Sequence, residues 1–540
     1  MREEIWASSP TSVAVLLISL NFKIYIMKNK KLKIALIAFF GVVIFNSCEN
    51  DLPSMAEFTS IEFTGLDEDG GTWTPILLAS SSQIVVNAPT AVNSPEYQAE
   101  LAALKLATQN LNGSQVEAVQ YWTNNPTIRW NEIALELAAK YNLIPGPNPD
   151  GTYTLPNSAN PAGPPPFPFA HPPYTCRMLA YLSVAQFDGL ITAWHYKYTY
   201  NRPATYVTDA SIPYAYTKNT LPSYPSEGAV IAVVSRDILT AMFPLEKDYL
   251  AAKAEEHLNS LIWSGSNVES DIVAGEYIGT EAKKVALARA ATDGMKNAQT
   301  PKAKSDSIKA AAQSRFGWSW DNLETPQRPV GLTPLFGKVK MWNVPTVEEV
   351  RPGIPPAPGS AEFEQNAEEL RDLADNLTEN QRKIANWWSD GLNTYTPPGH
   401  WNRLAKDYII KYEMNPLRST RTFAYLNMAI MDAGISCWDA KYYYHYPRPI
   451  QTIPGFKTIL GTPNFPSYTS GHSTFSAAAA EVLAYIFPAE ATYCKDWARE
   501  AAESRIYGGI HYRFDAEVGL DQGKKVAVYT VNRAKLDKAD

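Results

Sequence analysis

The chain has 540 residues, of which 45% are hydrophobic, so it exceeds a typical single domain and can bury a large core. Its formal net charge is -7, and residues 1–47 carry six basic and two acidic side chains, so the remainder stands at -7 - 4 = -11. An acidic chain argues against nucleic acid as a partner. Its four cysteines are too few and too scattered for a disulfide framework or a zinc site, and we expect Cys176, Cys437 and Cys494 to be buried free thiols.

The N-terminus resembles a bacterial lipoprotein signal. Four lysines between positions 28 and 33 precede an apolar run at 34–45, which ends at Ser47-Cys48. This order predicts a leader over residues 1–47, with Met27 as a candidate start, and a lipid attached to Cys48. The chain would then lie in the bacterial cell envelope, facing the periplasm or the exterior, and would meet the membrane only through that lipid. An uncleaved anchor is the alternative.

After an extended segment at 48–95, residues 96–300 are predicted to form a first helical bundle. Apolar residues recur at helical spacing, as at Leu179, Leu182 and Ala185, and strand-like alternation is rare. A proline-rich insert at 145–173 interrupts this bundle. Its prolines lack amide donors and predict an extended loop with a covering or binding role.

A second helical bundle is predicted over residues 361–540, after a linker at 301–360. The linker contains the proline-rich stretch 351–359, which is typical of a segment that runs over the surface. Phe423, Leu426 and Ala429 repeat the helical spacing of the first half. The sequence therefore predicts an all-α fold of two helical bundles.

The two halves match each other at one fixed offset, which indicates an internal duplication. Residues 177–182 (RMLAYL) correspond to residues 421–426 (RTFAYL), and 421 - 177 = 244. The same offset relates Asp188 to Asp432, Trp194 to Trp438, Lys197 to Lys441, Ser226 to Ser470 and Asp271 to Asp515. We therefore expect the two bundles to be related by an approximate two-fold axis.

The second half carries polar residues suited to a bound tetrahedral oxyanion. Three side chains, Lys441, Arg448 and Arg505, can neutralise a phosphate or a vanadate. Each arginine has a planar fork that donates two hydrogen bonds to neighbouring oxygens. Ser470 and the amide of Gly471 add neutral donors.

Two histidines complete this set. His472 follows the neutral donors directly, and the apolar run at 474–487 predicts a helix that opens here and attracts anions at its N-terminus. His511 and Asp515 are four residues apart, so within one helical turn the carboxylate can orient the ring. The other ring nitrogen of His511 is then free to attack phosphorus or to coordinate vanadium.

Three motifs, Lys441-x6-Arg448-Pro449, Ser470-Gly471-His472 and Ser504-Arg505-x5-His511, together resemble the signature of one superfamily. It joins type 2 phosphatidic acid phosphatases (PAP2), class A bacterial acid phosphatases and vanadium-dependent haloperoxidases. The string at 465–475 and Trp438 are most similar to the haloperoxidase branch, although Thr469 stands where many members carry proline. The resemblance implies that the oxyanion is held by Lys441, Arg448, Ser470, Gly471 and Arg505. It also implies that His472 is the acid-base and that His511 is the metal ligand or the nucleophile.

The resemblance implies one of two reactions. In a haloperoxidase, vanadate is the cofactor and His511 is its one protein ligand. Hydrogen peroxide oxidises a halide, and His472 transfers the protons of the peroxide. In a phosphatase there is no cofactor, and His511 attacks a phosphate monoester while His472 protonates the leaving alcohol. The duplication and the flanking aromatics favour the first reading. The short connection between His472 and Ser504 (504 - 472 - 1 = 31 residues) is also seen among phosphatase-like members.

Four further residues are assigned to the surroundings of this site. Trp438 and Phe465 are expected to form an apolar wall, with simple core packing as the alternative. His445 lies between the first two cations, where it would line the entrance or, more readily, sit on the surface. His400 is assigned to packing.

The first half lacks the reactive groups. Gly228 stands at the position of His472, Leu261 at that of Arg505 and Asn267 at that of His511. We interpret this half as a catalytically silent copy, with a degenerate second ligand site as the alternative. For the whole chain, a ligand-binding surface lipoprotein is a third class, suggested by 14 Trp and 30 Tyr. That class has no need for the cations and histidines.

Overall fold

The structure is a computed structural model that describes residues 61–540 except 64, 124, 144–169, 216–217 and 325–326. The predicted leader, Cys48 and most of the insert at 145–173 lie outside the described residues and stay predictions. The described residues form α-helices and short 3-10 turns, with no strand among them. The predicted all-α class is therefore confirmed.

The helices of the first half precede residue 320. They are α1 (Pro95–Ala107), α2 (Gly113–Trp122), α3 (Pro126–Tyr141), α4 (Pro172–Tyr200), α5 (Thr205–Thr208), α6 (Glu227–Met242), α7 (Lys247–Trp263), α8 (Glu269–Thr292) and α9 (Lys302–Phe316). Helix α9 lies inside the segment that the sequence analysis assigned to the linker.

The helices of the second half begin at residue 361. They are α10 (Ala361–Asn376), α11 (Glu379–Trp387), α12 (Thr396–Lys411), α13 (Pro416–Tyr444), α14 (Pro449–Thr452), α15 (Gly471–Ile486), α16 (Ala491–Tyr507) and α17 (Arg513–Ala534). None of the helices that the structure describes is both long and apolar enough to cross a bilayer.

Helices α4 and α13 pack against each other and join the two halves. Each has 29 residues, and their first residues are 416 - 172 = 244 positions apart. The Asn427 amide donates to Ser183 Oγ at 3.4 Å across this contact, and the rings of Phe187 and Tyr425 meet edge-on with centroids 6.2 Å apart. The three cysteines Cys176, Cys437 and Cys494 are buried free thiols, as predicted.

The ends of α13 determine where the first two cations lie. Pro416 occupies its first turn, and the side chain of Asn415 accepts from the Arg418 amide at 2.9 Å, which caps the helix. The helix ends at His445, whose positive φ of 49° turns the chain away. Lys441 therefore lies in the last turn, and Arg448 follows in the segment that leaves the helix.

Two glycines of α17 allow helix α15 to lie close to it. A Cβ at Gly523 would lie 2.3 Å from the carbonyl oxygen of Thr474, and a Cβ at Gly519 would lie 2.9 Å from that of Ser470. Only glycine lets the two backbones approach this closely. The same approach allows the Ser470 amide to donate to the Asp515 carbonyl at 2.9 Å, so the motif residues of both helices meet.

A buried aspartate on each long helix holds an irregular segment in place. Asp432 on α13 accepts from the amides of residues 342, 343 and 344 at 2.6, 2.8 and 3.3 Å. Asp188 on α4 accepts from those of residues 76, 77 and 78 at 2.6, 2.7 and 3.0 Å. These bonds satisfy three amides at once, which fixes the segments on the helices.

The proline-rich stretch 351–359 lies on the second half and is held there by tyrosines. The hydroxyls of Tyr444, Tyr446 and Tyr468 donate to the carbonyls of residues 352, 356 and 353 at 2.6, 2.6 and 2.8 Å. Tyr446 and Tyr468 belong to the segments that carry the motifs. Their hydrogen bonds to the stretch 351–359 therefore help to fix the positions of these segments.

We predict that Asp432→Ala lowers the free energy of unfolding by roughly 3 kcal/mol or more, because it leaves three amides without their acceptor at about 1–3 kcal/mol each. The shift in the midpoint of urea-induced unfolding measures the effect. Asp306→Ala is the control, since Asp306 pairs with Lys302 on the exposed surface of α9 and is expected to change stability by less than about 0.5 kcal/mol. Equal shifts in the two variants would contradict the role given to Asp432.

Candidate active site

Lys441 is fully buried and ties the motif loop to α13. Its ammonium group donates to the carbonyls of Pro466, Ser467 and Thr469 at 2.9, 2.7 and 2.6 Å. These bonds use all three ammonium protons. Lys441 therefore fixes the loop that precedes α15 and places a positive charge beneath the N-terminus of that helix.

Arg448 is also fully buried, and its guanidinium is aimed at His511. Its Nε donates to the Phe465 carbonyl at 3.1 Å, and its Nη1 donates to the Ile510 carbonyl at 2.8 Å. The same Nη1 lies 3.0 Å from His511 Nε2. Nη2 is buried and has no hydrogen-bond partner among the residues that the structure describes. The Nη2 edge of this guanidinium is thus available to a bound anion.

The surroundings of His511 determine its tautomer. Arginine can only donate, so His511 Nε2 accepts from Arg448, and the ring proton sits on Nδ1, which lies 2.9 Å from Asp515 Oδ2. Ser467 Oγ donates to the same carboxylate oxygen. The lone pair of His511 Nε2 is therefore directed at the guanidinium of Arg448. A bound oxyanion would replace His511 as the hydrogen-bond partner of this guanidinium.

Asp515 contacts His511, as predicted, but the geometry of this contact differs from the predicted one. His511 precedes α17, which begins at Arg513, so the two residues do not share a helical turn. Asp515 is the third residue of the helix, and its carboxylate also accepts from the Tyr512 amide at 3.3 Å. The carboxylate caps the helix and reaches back to the imidazole.

The first turn of α15 supplies the neutral donors and the second histidine. Ser470 is the N-cap residue and accepts from the Ser473 amide at 3.4 Å, so the helix starts where the sequence predicted. Gly471 is its first residue, and its amide is one of the donors that a helix leaves unpaired at its N-terminus. His472 is second, and its Nε2 is buried without a hydrogen-bond partner among the described residues.

Arg505 lies at the end of α16 and is 1% exposed. Its Nε donates to Ser504 Oγ at 2.9 Å and its Nη2 to the Ala385 carbonyl at 3.0 Å. These contacts fix the guanidinium between α16 and the end of α11. The third predicted cation is thus held by segments 120 residues apart in the chain.

Asp390 is a site residue that the sequence analysis missed. Its carboxylate lies 3.7 Å from His472 Nε2 and 3.1 Å from His400 Nδ1. The assignment of His400 to packing was incomplete, since the ring stacks on Trp388 at 4.3 Å but also contacts this carboxylate. No motif marks Asp390, which precedes His472 by 472 - 390 = 82 residues.

Trp438 and Phe465 lie side by side with ring centroids 4.9 Å apart. Lys441 Nζ lies 5.0 Å from the Phe465 ring and the Arg448 guanidinium 5.2 Å from it. These distances are those of cation–π contacts, which stabilise positive charge in a site shielded from water. The aromatic pair therefore borders the cations.

The prediction that His445 lies on the surface was wrong. The residue is 2% exposed, its Nδ1 accepts from the Trp320 amide at 3.1 Å, and its carbonyl accepts from the same amide at 2.7 Å. Its left-handed backbone ends α13 and turns the ring toward Trp320, with ring centroids 5.9 Å apart. His445 therefore pins the segment around residue 320 to the end of the helix.

Burial is the largest cause of each pKa shift in this site. It lowers the pKa of Arg448 and of Arg505 to about 10, so both remain charged at neutral pH. It also lowers the pKa of Lys441, although its three carbonyl partners favour the ammonium form. Burial and then the nearby arginines hold the pKa values of His472 and His511 well below their ordinary range, so both imidazoles are neutral.

The arrangement fits a small tetrahedral oxyanion. Lys441, Arg448 and Arg505 outnumber the two carboxylates Asp515 and Asp390, and burial raises the pKa of Asp515. Arg448 Nη2 and His472 Nε2 are buried polar atoms left without partners among the described residues. An anion such as phosphate or vanadate would accept from Arg448 Nη2 and compensate the charge.

Comparison with known proteins points to the same segment. Residues 421–535 match the model of the PAP2 superfamily. Over 127 residues the chain is 28% identical to a vanadium chloroperoxidase of Curvularia inaequalis, a match that covers 18% of this chain and 21% of that protein. The chain thus spans about a fifth of the length of that relative. The predicted resemblance to the superfamily is confirmed.

Two solved structures align with much of the chain. The crystal structure of a bacterial vanadium-dependent iodoperoxidase aligns with a TM-score of 0.53 at 24% identity, covering 67% of this chain and 91% of that one. An apo-type bacterial vanadium-dependent chloroperoxidase aligns with a TM-score of 0.46 at 14% identity, covering 67% and 92%. The first of these shows that the helical architecture is shared.

We predict that Arg505→Gln weakens the binding of inorganic phosphate by roughly 10- to 100-fold, because it removes a buried cation worth about 1.5–3 kcal/mol in charged hydrogen bonds. Isothermal titration calorimetry gives the dissociation constants. Arg499→Gln is the matched control on the same helix, since Arg499 pairs with Asp496 at the exposed surface. A similar loss in both variants would mean that Arg505 does not bind the anion.

We also predict that the affinity for sulfate, a dianion throughout the range, falls as the pH rises from about 6 to about 9. Burial lowers the pKa of Lys441, so the ammonium is present at low pH and loses its proton as the pH rises toward its ordinary value near 10.4. Sulfate favours the charged form, so binding at high pH must first protonate the amine. Lys441→Met should bind more weakly and should flatten the profile, and an unchanged pH dependence in that variant would contradict the assignment.

Proposed function

We propose that this chain, whose residues 421–535 match the PAP2 superfamily, is a vanadium-dependent haloperoxidase that oxidises halide with hydrogen peroxide. The observation that carries the proposal is the nearly complete burial of the charged groups around His511. Lys441, Arg448 and Asp515 are 0% exposed, Arg505 is 1% and His511 is 2%. Vanadate, peroxide and halide are small enough for such a site.

The residues of this chain would hold the vanadate as follows. Arg448 and Arg505 donate to its oxygens, Ser470 Oγ and the Gly471 amide add neutral donors, and Lys441 supplies charge through the loop that it fixes. His511 Nε2 is the protein ligand. Bound vanadate supplies a Lewis-acidic centre that activates hydrogen peroxide toward attack by halide.

Asp515 prepares His511 for this role. Its carboxylate accepts a hydrogen bond from the Nδ1–H group of the ring, which leaves the lone pair on Nε2 and orients it toward the guanidinium of Arg448. A ligand histidine whose other nitrogen donates to a carboxylate is held in one tautomer and is a stronger donor. Ser467 Oγ donates to the same carboxylate and fixes it in turn.

His472 is suited to move the peroxide protons. Its Nε2 is unpartnered among the described residues and its ring is neutral, so it can accept a proton from an incoming peroxide. Asp390 lies 3.7 Å from that nitrogen and stabilises the imidazolium that forms. His400, on the other side of Asp390, orients the carboxylate.

The phosphatase alternative uses the same groups. The neutral His511 Nε2 would attack the phosphorus of a monoester, and His472 would protonate the leaving alcohol. Burial disfavours this reading, because the alcohol portion of an ester must reach a site where, among the motif side chains, His472 has the largest exposure at 15%. The names of the relatives also support the haloperoxidase reading.

We predict that His511→Ala abolishes halide oxidation and that His472→Ala lowers its kcat by about 100-fold or more, the usual contribution of a general acid-base. The assay follows peroxide-dependent oxidation of iodide, bromide and chloride after incubation with orthovanadate, beside hydrolysis of an aryl phosphate. Asn267→Ala, at the position in the first half that corresponds to His511, is the control and should retain nearly normal activity.

The same assay separates the two reactions. Halide oxidation that rises with bound vanadium supports the haloperoxidase. Hydrolysis of the phosphate ester that is inhibited by vanadate would instead show that the protein is a phosphatase. Full activity of either histidine variant would remove the role assigned to that residue.

A further inference from the structure

Outside the candidate active site, a cavity lies between α9, the turn at 334–338 and the end of α13. It measures about 180 Å³, which is enough for a molecule with one ring, since a cavity of about 150 Å³ can hold benzene. The wall on α9 is one helical face, formed by Ile308, Ala311, Ala312 and Arg315. The cavity therefore has the size of a small-molecule site and lies at the junction of three segments.

The walls of this cavity are fixed by packing. The turn lies directly on α13, because a Cβ at Gly337 would lie 2.6 Å from the Cα of Asp439, and only glycine permits this approach. The neighbouring Phe336 is fully buried and meets the Trp438 ring edge-on, with centroids 6.1 Å apart. On α9, Ala311 presents only a methyl group, which leaves the space between the walls open.

The polar groups inside the cavity are already paired. The Tyr442 hydroxyl donates to the Leu332 carbonyl at 2.8 Å, so this residue offers its ring rather than its hydroxyl. Asp439 is the one carboxylate among the lining residues, and it accepts from Nε and Nη2 of Arg351, the latter at 3.0 Å. The surface left for a ligand inside the cavity is mainly aliphatic and aromatic carbon.

Positive charge collects at the mouth of the cavity. The Arg315 guanidinium lies 4.6 Å from the centroid of the Tyr443 ring, and it pairs with no carboxylate among the residues that the structure describes. The Lys338 ammonium lies 3.8 Å from Asp439, whose oxygens already accept from Arg351. An anionic group at the mouth would therefore meet one cation without a partner and a second whose partner is shared.

We propose that this cavity binds an organic monocarboxylate with a single aromatic ring, of the chemical class of benzoate. The ring packs against Ile308, Leu335 and the ring of Tyr442, and the carboxylate accepts from Arg315 and Lys338 at the mouth. An apolar interior with a few charged groups that orient the ligand is the usual composition of a small-molecule site. The site contains none of the residues assigned to vanadate or peroxide, so it is independent of the proposed reaction.

Ligand-observed 19F NMR of 4-fluorobenzoate with the full chain tests the proposal. Saturable binding with a dissociation constant on the order of 1 mM or tighter is expected for a ligand of this size. The amide 4-fluorobenzamide, which has the same shape and no charge, should bind at least about fivefold more weakly, and the cation 4-fluorobenzylamine more weakly still. Absence of saturable binding, or equal binding of the three compounds, would overturn the proposal.

Two neighbouring alanines of α9 locate the binding. Ala311→Leu fills the cavity and should weaken 4-fluorobenzoate at least about tenfold, whereas Ala310→Leu, outside the walls, should stay within about twofold. Both positions are exposed and leucine is a good helix former, so both variants are expected to fold. Equal affinity in the two variants would show that the ligand binds elsewhere, for example among the cations of the active site, and would overturn the proposal.

The Arg315→Gln variant separates the charge of the ligand from its shape. It should weaken 4-fluorobenzoate at least about fivefold and leave 4-fluorobenzamide within about twofold, because only the carboxylate depends on the guanidinium. Lys304→Gln, on the exposed surface of the same helix, is the matched control and should change neither affinity. An unchanged preference for 4-fluorobenzoate in Arg315→Gln would contradict the assignment of the carboxylate to the mouth of the cavity.

Discussion

The buried ammonium group of Lys441 is the contact on which the candidate active site depends. It joins the last turn of α13 to three carbonyls of the loop at 466–469, and that loop leads directly into α15. Without this bond the N-terminus of α15 would lose its position relative to the long helix. The bond also brings a positive charge into the interior, where only a carboxylate or a bound anion can compensate it.

The two halves compensate this charge in different ways on similar helices. In the first half Lys197 makes the corresponding contacts to the carbonyls of Pro222 and Ser223 and pairs with Glu227. In the second half Gly471 replaces that glutamate, so the start of α15 brings no carboxylate to Lys441. The difference between Glu227 and Gly471 thus adds to the replacements at Gly228, Leu261 and Asn267, and it leaves Lys441 without the carboxylate that pairs with Lys197.

The neutrality of both histidines follows first from their burial and then from the same excess of positive charge. A buried imidazole beside arginines cannot easily hold a second positive charge, which leaves His511 with a lone pair and His472 able to take a proton. A bound anion reverses this balance and favours the imidazolium. Asp390 then becomes important, because it is the carboxylate near His472 that can share the new charge.

The sequence by itself determined the all-α class, the start of α15 and the residue types of the candidate site, because helical periodicity, capping and charge are local properties of the chain. Only the tertiary structure revealed Asp390 and the burial of His445, since each depends on segments far apart in sequence. It also decided that His511 and Asp515 meet across a helix N-terminus rather than within one turn. The compensation of Lys197 by Glu227 likewise depends on where two helices pack, and no spacing in the sequence reports that distance.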